Sequence, residues 1–224
     1  MPADAPTVKM ENTRRDGAIV VPYERKNANR VAISQRLVAE TGGTMVPPYN
    51  DPDIMAGQGT LGLEFAGQVA DMDAQLDLLL GPCSGGGMIG GAALAFRAKS
   101  PQTEIYCVEP EGYDDMTQSL AAGSRIEIHP TASSICDGLL VEAPGTITFE
   151  IAKSHLAGGI VVADSAVEHA VKLAFDEYKV VIEPSGAIGL AAILAAPQRF
   201  RGKTIGIIAT GGNVDADAFA RMIR

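Results

Sequence analysis

The chain has 224 residues, 46% of them hydrophobic and 20% charged, with a formal net charge of −9. That is the make-up of a globular α/β protein with enough apolar material for a core, and the acidity, unrelieved by any basic stripe, excludes a nucleic-acid or anionic-membrane partner. Cys83, Cys107 and Cys136 are too few and too far apart for a disulfide framework or metal cluster, no apolar run reaches a membrane span, and residues 1–6 lack the basic start and apolar core of a secretion signal, so a cytoplasmic protein with reduced thiols is expected.

In chain order, an amphipathic helix can run from Pro6 to about Arg15, and residues 18–23 (AIVVPY) read as a strand. Residues 27–41 place Val31, Ile33, Leu37 and Val38 at helical spacing and stop at Gly42-Gly43. Residues 44–46 could form a short strand. The turn-rich Pro47-Pro48-Tyr49-Asn50-Asp51-Pro52 is the expected boundary between residues 1–50, the remnant of a smaller α/β domain, and residues 51–224, a larger one. Beyond it come a helix through residues 66–69, a strand at 76–80, a small-residue helix to Ala98 and a strand at 105–108. Residues 111–143 read as polar and irregular. A helix near 148–155, a strand at 160–162, helices at 165–178 and 186–194 and a strand at 204–208 complete the chain. Strands and helices alternating at these lengths predict a parallel sheet covered on both faces.

The strongest local signal is the apolar strand that runs into Gly81-Pro82-Cys83-Ser84-Gly85-Gly86-Gly87-Met88 and then into a helix. A loop without β-carbons lets backbone N–H groups approach an anion, and the helix N-terminus adds a favourable dipole. Gly85, Gly87 and Gly90 also satisfy G-x-G-x-x-G, with Glu109 at the end of the next strand where a dinucleotide's ribose would be met. A simple phosphate ester, a dinucleotide, or glycines that only allow a helix to pack closely on a sheet are all consistent with this stretch taken alone.

Two later motifs narrow the choice. Glu183-Pro184-Ser185-Gly186-Ala187 opens an alanine-rich helix, and Thr210-Gly211-Gly212-Asn213-Val214-Asp215 follows the last strand. With the Ser84–Met88 loop before them, they resemble the pyridoxal-phosphate (PLP) fold-type II family of threonine dehydratase, serine dehydratase and serine racemase, the tryptophan-synthase-β-like fold. Met1-Pro2, Ala5-Pro6 and Lys9, then Pro48–Pro52 with Ala56-Gly57-Gln58-Gly59-Thr60, Val108-Glu109-Pro110 and Asp137-Gly138 fall in the family's order along the whole chain.

The resemblance implies that Ser84, Gly85, Gly86, Gly87 and Met88 hold the PLP phosphate. Thr210 would face the pyridine nitrogen, and Gly138 and Glu183 would lie near the ring. A neutral hydroxyl at the ring nitrogen makes a weaker electron sink than a carboxylate, which suits rapid β-elimination. Thr210 also reads as a helix N-cap. The family's divalent cation, Mg²⁺ or Ca²⁺, would take Glu109, the carbonyl of Tyr113 and Asp115, although Tyr113 is bulkier than the small residue expected there and these acids also read as a solvated acidic segment.

The resemblance also implies a gap. The family's Schiff-base lysine and its substrate-carboxylate segment precede the M-P-x-x-A-P run at which this chain starts, so an N-terminally truncated chain is expected. None of the seven lysines stands in the Schiff-base motif. The expected reaction is β-elimination of threonine, serine or a related β-hydroxy amino acid by an enzyme that assembles as a homo-oligomer, with little activity from this chain alone. Uncovered strand edges are expected to favour aggregation or partner pairing. Hydroxyaspartate dehydration, serine racemisation, a non-catalytic phosphate binder and an NAD-binding oxidoreductase stand as alternatives.

Overall fold

The computed structural model describes residues 1–25 and 29–224. Its centre is a four-stranded sheet in the order β3-β2-β1-β4, where β1 is Leu78–Pro82, β2 Glu104–Pro110, β3 Gly158–Val162 and β4 Ile205–Ile207. All three pairings are parallel, with Leu80 opposite both Tyr106 and Ile207. The expected parallel sheet is therefore present. It is covered on both faces because alternate strand residues point to opposite sides. Leu78, Leu80, Val108, Ile160 and Val162 join one buried cluster, whereas Leu79, Ile105 and Cys107 join the other.

The first cluster is closed by α7 (Asp164–Tyr178) and α8 (Pro184–Ala195), through Val167, Val171, Ile188 and Ala191. The second is closed by α3 (Pro52–Asp71), α4 (Gly87–Lys99) and α6 (Thr146–His155), through Ala66, Ile89, Phe96 and Phe149. Asp51 caps α3 by accepting the N–H groups of Asp53 and Ile54, ahead of Pro52 at the first turn. All three cysteines are free and buried.

Helices α3 and α4 approach so closely that their contact has no room for side chains. A β-carbon on Gly91 would lie 2.5 Å from the Met55 carbonyl oxygen, and one on Gly62 would lie 2.8 Å from Ala92 Cα. Both obstacles are backbone and cannot rotate away. Gly91→Ala should therefore cost about 1–3 kcal/mol by overpacking, read as a lower urea midpoint at unchanged m-value.

Residues 1–50 carry α1 (Thr7–Arg15) and α2 (Arg30–Thr41), neither of which buries a residue fully. Asn29 caps α2 and Gly42 ends it in the left-handed conformation, as the glycine stop predicts; residues 27 and 28 of the expected helix lie outside the described residues. The strand expected at residues 18–23 is not formed, and Tyr23 makes only an isolated parallel bridge to Pro2. Residues 44–46 form no strand either. Alternating apolar residues create a strand only where a partner strand lies alongside, and Ile19 and Val46 are instead 92% and 73% exposed. The region read as irregular contains one helix that periodicity missed, α5 (Asp115–Ala122), which ends at Gly123 in the left-handed conformation. Two short helices, α9 (Pro197–Phe200) and α10 (Ala216–Met222), complete the chain. No helix of the described residues is long and apolar enough to cross a membrane.

Helix α1 is tied to the larger part of the chain by charge. The Thr7 and Val8 N–H groups donate to the Asp215 carboxylate at 3.1 and 2.8 Å. Lys9 Nζ lies 2.8 Å from Asp137 Oδ2 and 3.4 Å from Glu183 Oε2. These bonds bring residues 137 and 183 together beside the cavity described next.

Candidate active site

Strand β1 ends at Pro82 and α4 starts at Gly87, so Ser84, Gly85 and Gly86 must turn the chain within one short loop. Gly86 does so at φ +91°, where a β-carbon would strike Met116 Cε at 2.6 Å and Thr148 Cβ at 3.0 Å. The Gly85 carbonyl is engaged within the fold, accepting from Thr148 Oγ1 at 2.5 Å and from Gly145 N at 3.3 Å. Among the described residues, no backbone N–H from Ser84 to Ile89 donates to another group, although those before and after, Cys83 and Gly90, do. Consecutive unpaired N–H groups at the start of a helix form an anion cradle.

The cradle opens into a cavity of about 300 Å³. Ser84, Gly85, Gly86, Gly87, Met88, Gly138, Glu183 and Thr210 all line it, so the structure brings together every residue expected to meet a cofactor. Thr210 reaches it from the loop after β4, Glu183 from the start of α8, and Gly138 from the turn at residues 137–139. Gly138 N donates to Ser185 Oγ at 3.0 Å, which fixes that turn on α8. Gly186 allows the Thr210 carbonyl to lie where its own β-carbon would be. Thr210 is not a helix cap, however; Asp215 holds the N-cap position of α10. Gly90 and Gly91 do not line the cavity but receive Met55 and the α3 backbone, so their role is close helix packing.

Among the lining residues to which sequence reasoning gave no cofactor role, three bear on the chemistry of the site. Tyr49 places its ring against Gly85 and its Cβ 2.9 Å from where a Gly87 β-carbon would stand. Arg30 Nη2 donates to Tyr49 Oη at 3.0 Å, and its guanidinium carbon lies 5.6 Å from that ring's centroid. Ser185 is the third. Tyr49 and Ser185 stood inside quoted motifs, but only folding puts Arg30, from the first turn of α2, at the same opening.

Glu109 and Asp115 form a separate buried pair. Glu109 is fully buried at the end of β2, where Oε1 accepts from Met116 N (3.0 Å) and Oε2 from Thr117 N (2.8 Å) and Thr117 Oγ1 (2.6 Å). It does not line the cavity, which corrects the expectation that it could meet a ribose. Asp115, also fully buried, has no hydrogen-bond partner for either carboxylate oxygen among the described residues. Burial raises Glu109 to about 7 against the opposing pull of its hydrogen bonds. Burial, reinforced by the charge of Glu109, raises Asp115 to about 8. Tyr113 sits half-buried on the turn between them, its N–H donating to Pro110 O at 3.0 Å. Two buried carboxylates, one of them without a partner among the described residues, fit a hard divalent cation.

A family model described as "Pyridoxal-phosphate dependent enzyme" matches residues 1–211. The chain is 39% identical over its whole length to an L-threo-3-hydroxyaspartate ammonia-lyase of a Pseudomonas species, covering 69% of that protein. It is also 39% identical to a beta-hydroxyaspartate dehydratase of Paracoccus denitrificans, over 97% of this chain and 67% of the relative. The solved structure of maize serine racemase superimposes with a TM-score of 0.88 at 37% identity, covering 98% of this chain and 67% of that one. The chain thus spans about two thirds of the length of these relatives.

Proposed function

Because the chain belongs to the pyridoxal-phosphate-dependent enzyme family, we propose that it forms the phosphate- and ring-binding part of an ammonia-lyase acting on a β-hydroxy amino acid, with β-hydroxyaspartate preferred. The observation that carries this reading is the run of N–H groups from Ser84 to Ile89 without partners among the described residues, on the wall of a cavity that Thr210 also lines. That run and the α4 dipole hold the cofactor's phosphate, and Ser84 adds a hydroxyl. Thr210 would be the neutral partner for the ring nitrogen, and Gly138 would lie beside the ring. Glu183 is held by Lys9 and by the Asn213 N–H at 3.1 Å, so its charge stays fixed at the cavity wall. When bound, the cofactor supplies the electron sink that acidifies the substrate's α-carbon.

The preference for a dicarboxylic substrate rests on Arg30, the one lining residue of net positive charge among those described, and on the two relatives named for hydroxyaspartate. A guanidinium at the opening can pair with a second carboxylate that serine and threonine lack. Arg30→Gln should weaken binding of β-hydroxyaspartate about tenfold or more while changing serine binding less than twofold. Calorimetric titration with both amino acids measures the difference.

The reading includes a divalent cation at Glu109 and Asp115, with the Tyr113 carbonyl as a further ligand and water completing the shell. Its role is to neutralise the buried pair behind Met116, whose methyl carbon packs toward Gly86.

The test of the cofactor site compares pyridoxal phosphate with pyridoxal, which lacks the phosphate. Pyridoxal phosphate should bind at least about a hundredfold more tightly, and inorganic phosphate should displace it. Equal binding of the two aldehydes would refute the phosphate cradle. No lysine lines the cavity among the described residues. Borohydride reduction is therefore expected to leave no stoichiometric adduct by intact mass, and the chain alone to show little lyase activity. A single adduct at one defined lysine overturns that expectation.

A further inference from the structure

A second cavity, of about 270 Å³, shares a wall with the first. Gly138 and Glu183 face the first cavity, while their chain neighbours Asp137 and Pro184 face the second. It opens between Pro6 at the start of α1, Glu168 on α7 and Ala218, Arg221 and Met222 on α10.

Four ionic side chains line it, and two are already engaged. Asp137 is paired with Lys9 at 2.8 Å. Asp215 accepts the Thr7 and Val8 N–H groups that open α1. Glu168 and Arg221 remain; among the described residues, neither forms an ion pair with the other or with any third side chain. The rest of the lining is largely apolar, with Ile135, Pro184, Val214 and Met222. The cavity thus offers one carboxylate and one guanidinium, held apart on two helices, over an aliphatic wall.

A ligand that satisfies all three features carries an ammonium for Glu168, a carboxylate for the Arg221 fork and a short hydrocarbon part for the wall. The volume suits a molecule of single-amino-acid size and is small for a nucleotide. We propose that this cavity is a second binding site, for a free aliphatic α-amino acid. The site lies outside the cofactor cavity and does not depend on the lyase reading.

The two cavities each contain a methionine, which makes the test site-specific. Methyl-¹³C methionine spectra of the chain without pyridoxal phosphate are titrated with L-valine. The Met222 methyl should shift saturably while the Met88 methyl, in the first cavity, stays in place. Isovalerate and isobutylamine, which each lack one charge, should need at least about tenfold higher concentration, and Arg221→Gln and Glu168→Gln should each weaken valine by a similar factor. Both side chains are exposed, so neither change threatens the core. The proposal fails if Met222 does not respond up to about 20 mM valine, a very weak Kd. It fails equally if Met88 shifts instead, or if the single-charge analogues bind as well as valine. Because no step uses pyridoxal phosphate, these outcomes leave the phosphate-cradle test unaffected.

Discussion

Gly86→Val should reduce affinity for pyridoxal phosphate by about 10²- to 10⁴-fold. Two costs fall on the same residue. At φ +91° an L-residue is strained by roughly 1–2 kcal/mol, and its β-carbon would enter the space of Met116 Cε and Thr148 Cβ. The loop can relieve both only by rotating, and rotation re-aims the N–H groups of the cradle. Losing two charge-assisted hydrogen bonds at about 1.5–3 kcal/mol each gives the stated factor. Met116 and Thr148 are buried, so a loss of global stability must be separated from a loss of binding. Equilibrium unfolding of the variant provides that control, and unchanged affinity in a folded variant would exclude this loop as the phosphate site.

The second large effect concerns Glu109 and Asp115. Their folded values of about 7 and about 8 stand above the ordinary 4.5 and 3.8. The folded chain therefore holds protons that the unfolded chain has released, and stability falls with rising pH in that range. The contribution is fully present below about pH 4 and is lost progressively as pH rises to about 8. In chelator, the melting temperature is thus expected to fall between about pH 5 and 8. Millimolar Mg²⁺ or Ca²⁺ should reverse most of the loss at pH 8, where both carboxylates are free to bind, and little of it at pH 5. Asp115→Asn removes one buried charge at nearly constant volume, so it should raise metal-free stability at pH 8 and abolish the cation's effect. A cation response that survives this substitution would place the ion elsewhere.

The sequence by itself determined the order of the four paired strands with the helices that cover them, and the backbone freedom of the glycine loop. Leu78-Leu79-Leu80 running into Ser84–Gly87 encodes a buried strand, a turn and a helix start within a dozen positions, and burial period and backbone freedom are local properties. α5 was not legible because it is short and its polar groups serve the fold: the Met116 and Thr117 N–H groups and the Thr117 hydroxyl donate to Glu109, and the Ser119 hydroxyl donates to the Asp115 carbonyl. The strand expected at residues 18–23 failed for the converse reason, since its apolar pattern is present but no strand pairs with it beyond Tyr23.

Only the tertiary structure decided which residues meet. It set Arg30 and Tyr49 beside residues 84–88, 138, 183, 185 and 210 around one cavity. It assigned Gly85–Gly87 to the cavity but Gly90 and Gly91 to the contact with α3, a distinction that glycine spacing does not carry. It also turned Glu109 inward, onto the first turn of α5, instead of toward a ligand. These outcomes depend on parallel pairing between strands distant in the chain and on backbone approaches of a few ångströms. A local pattern of residue types specifies neither.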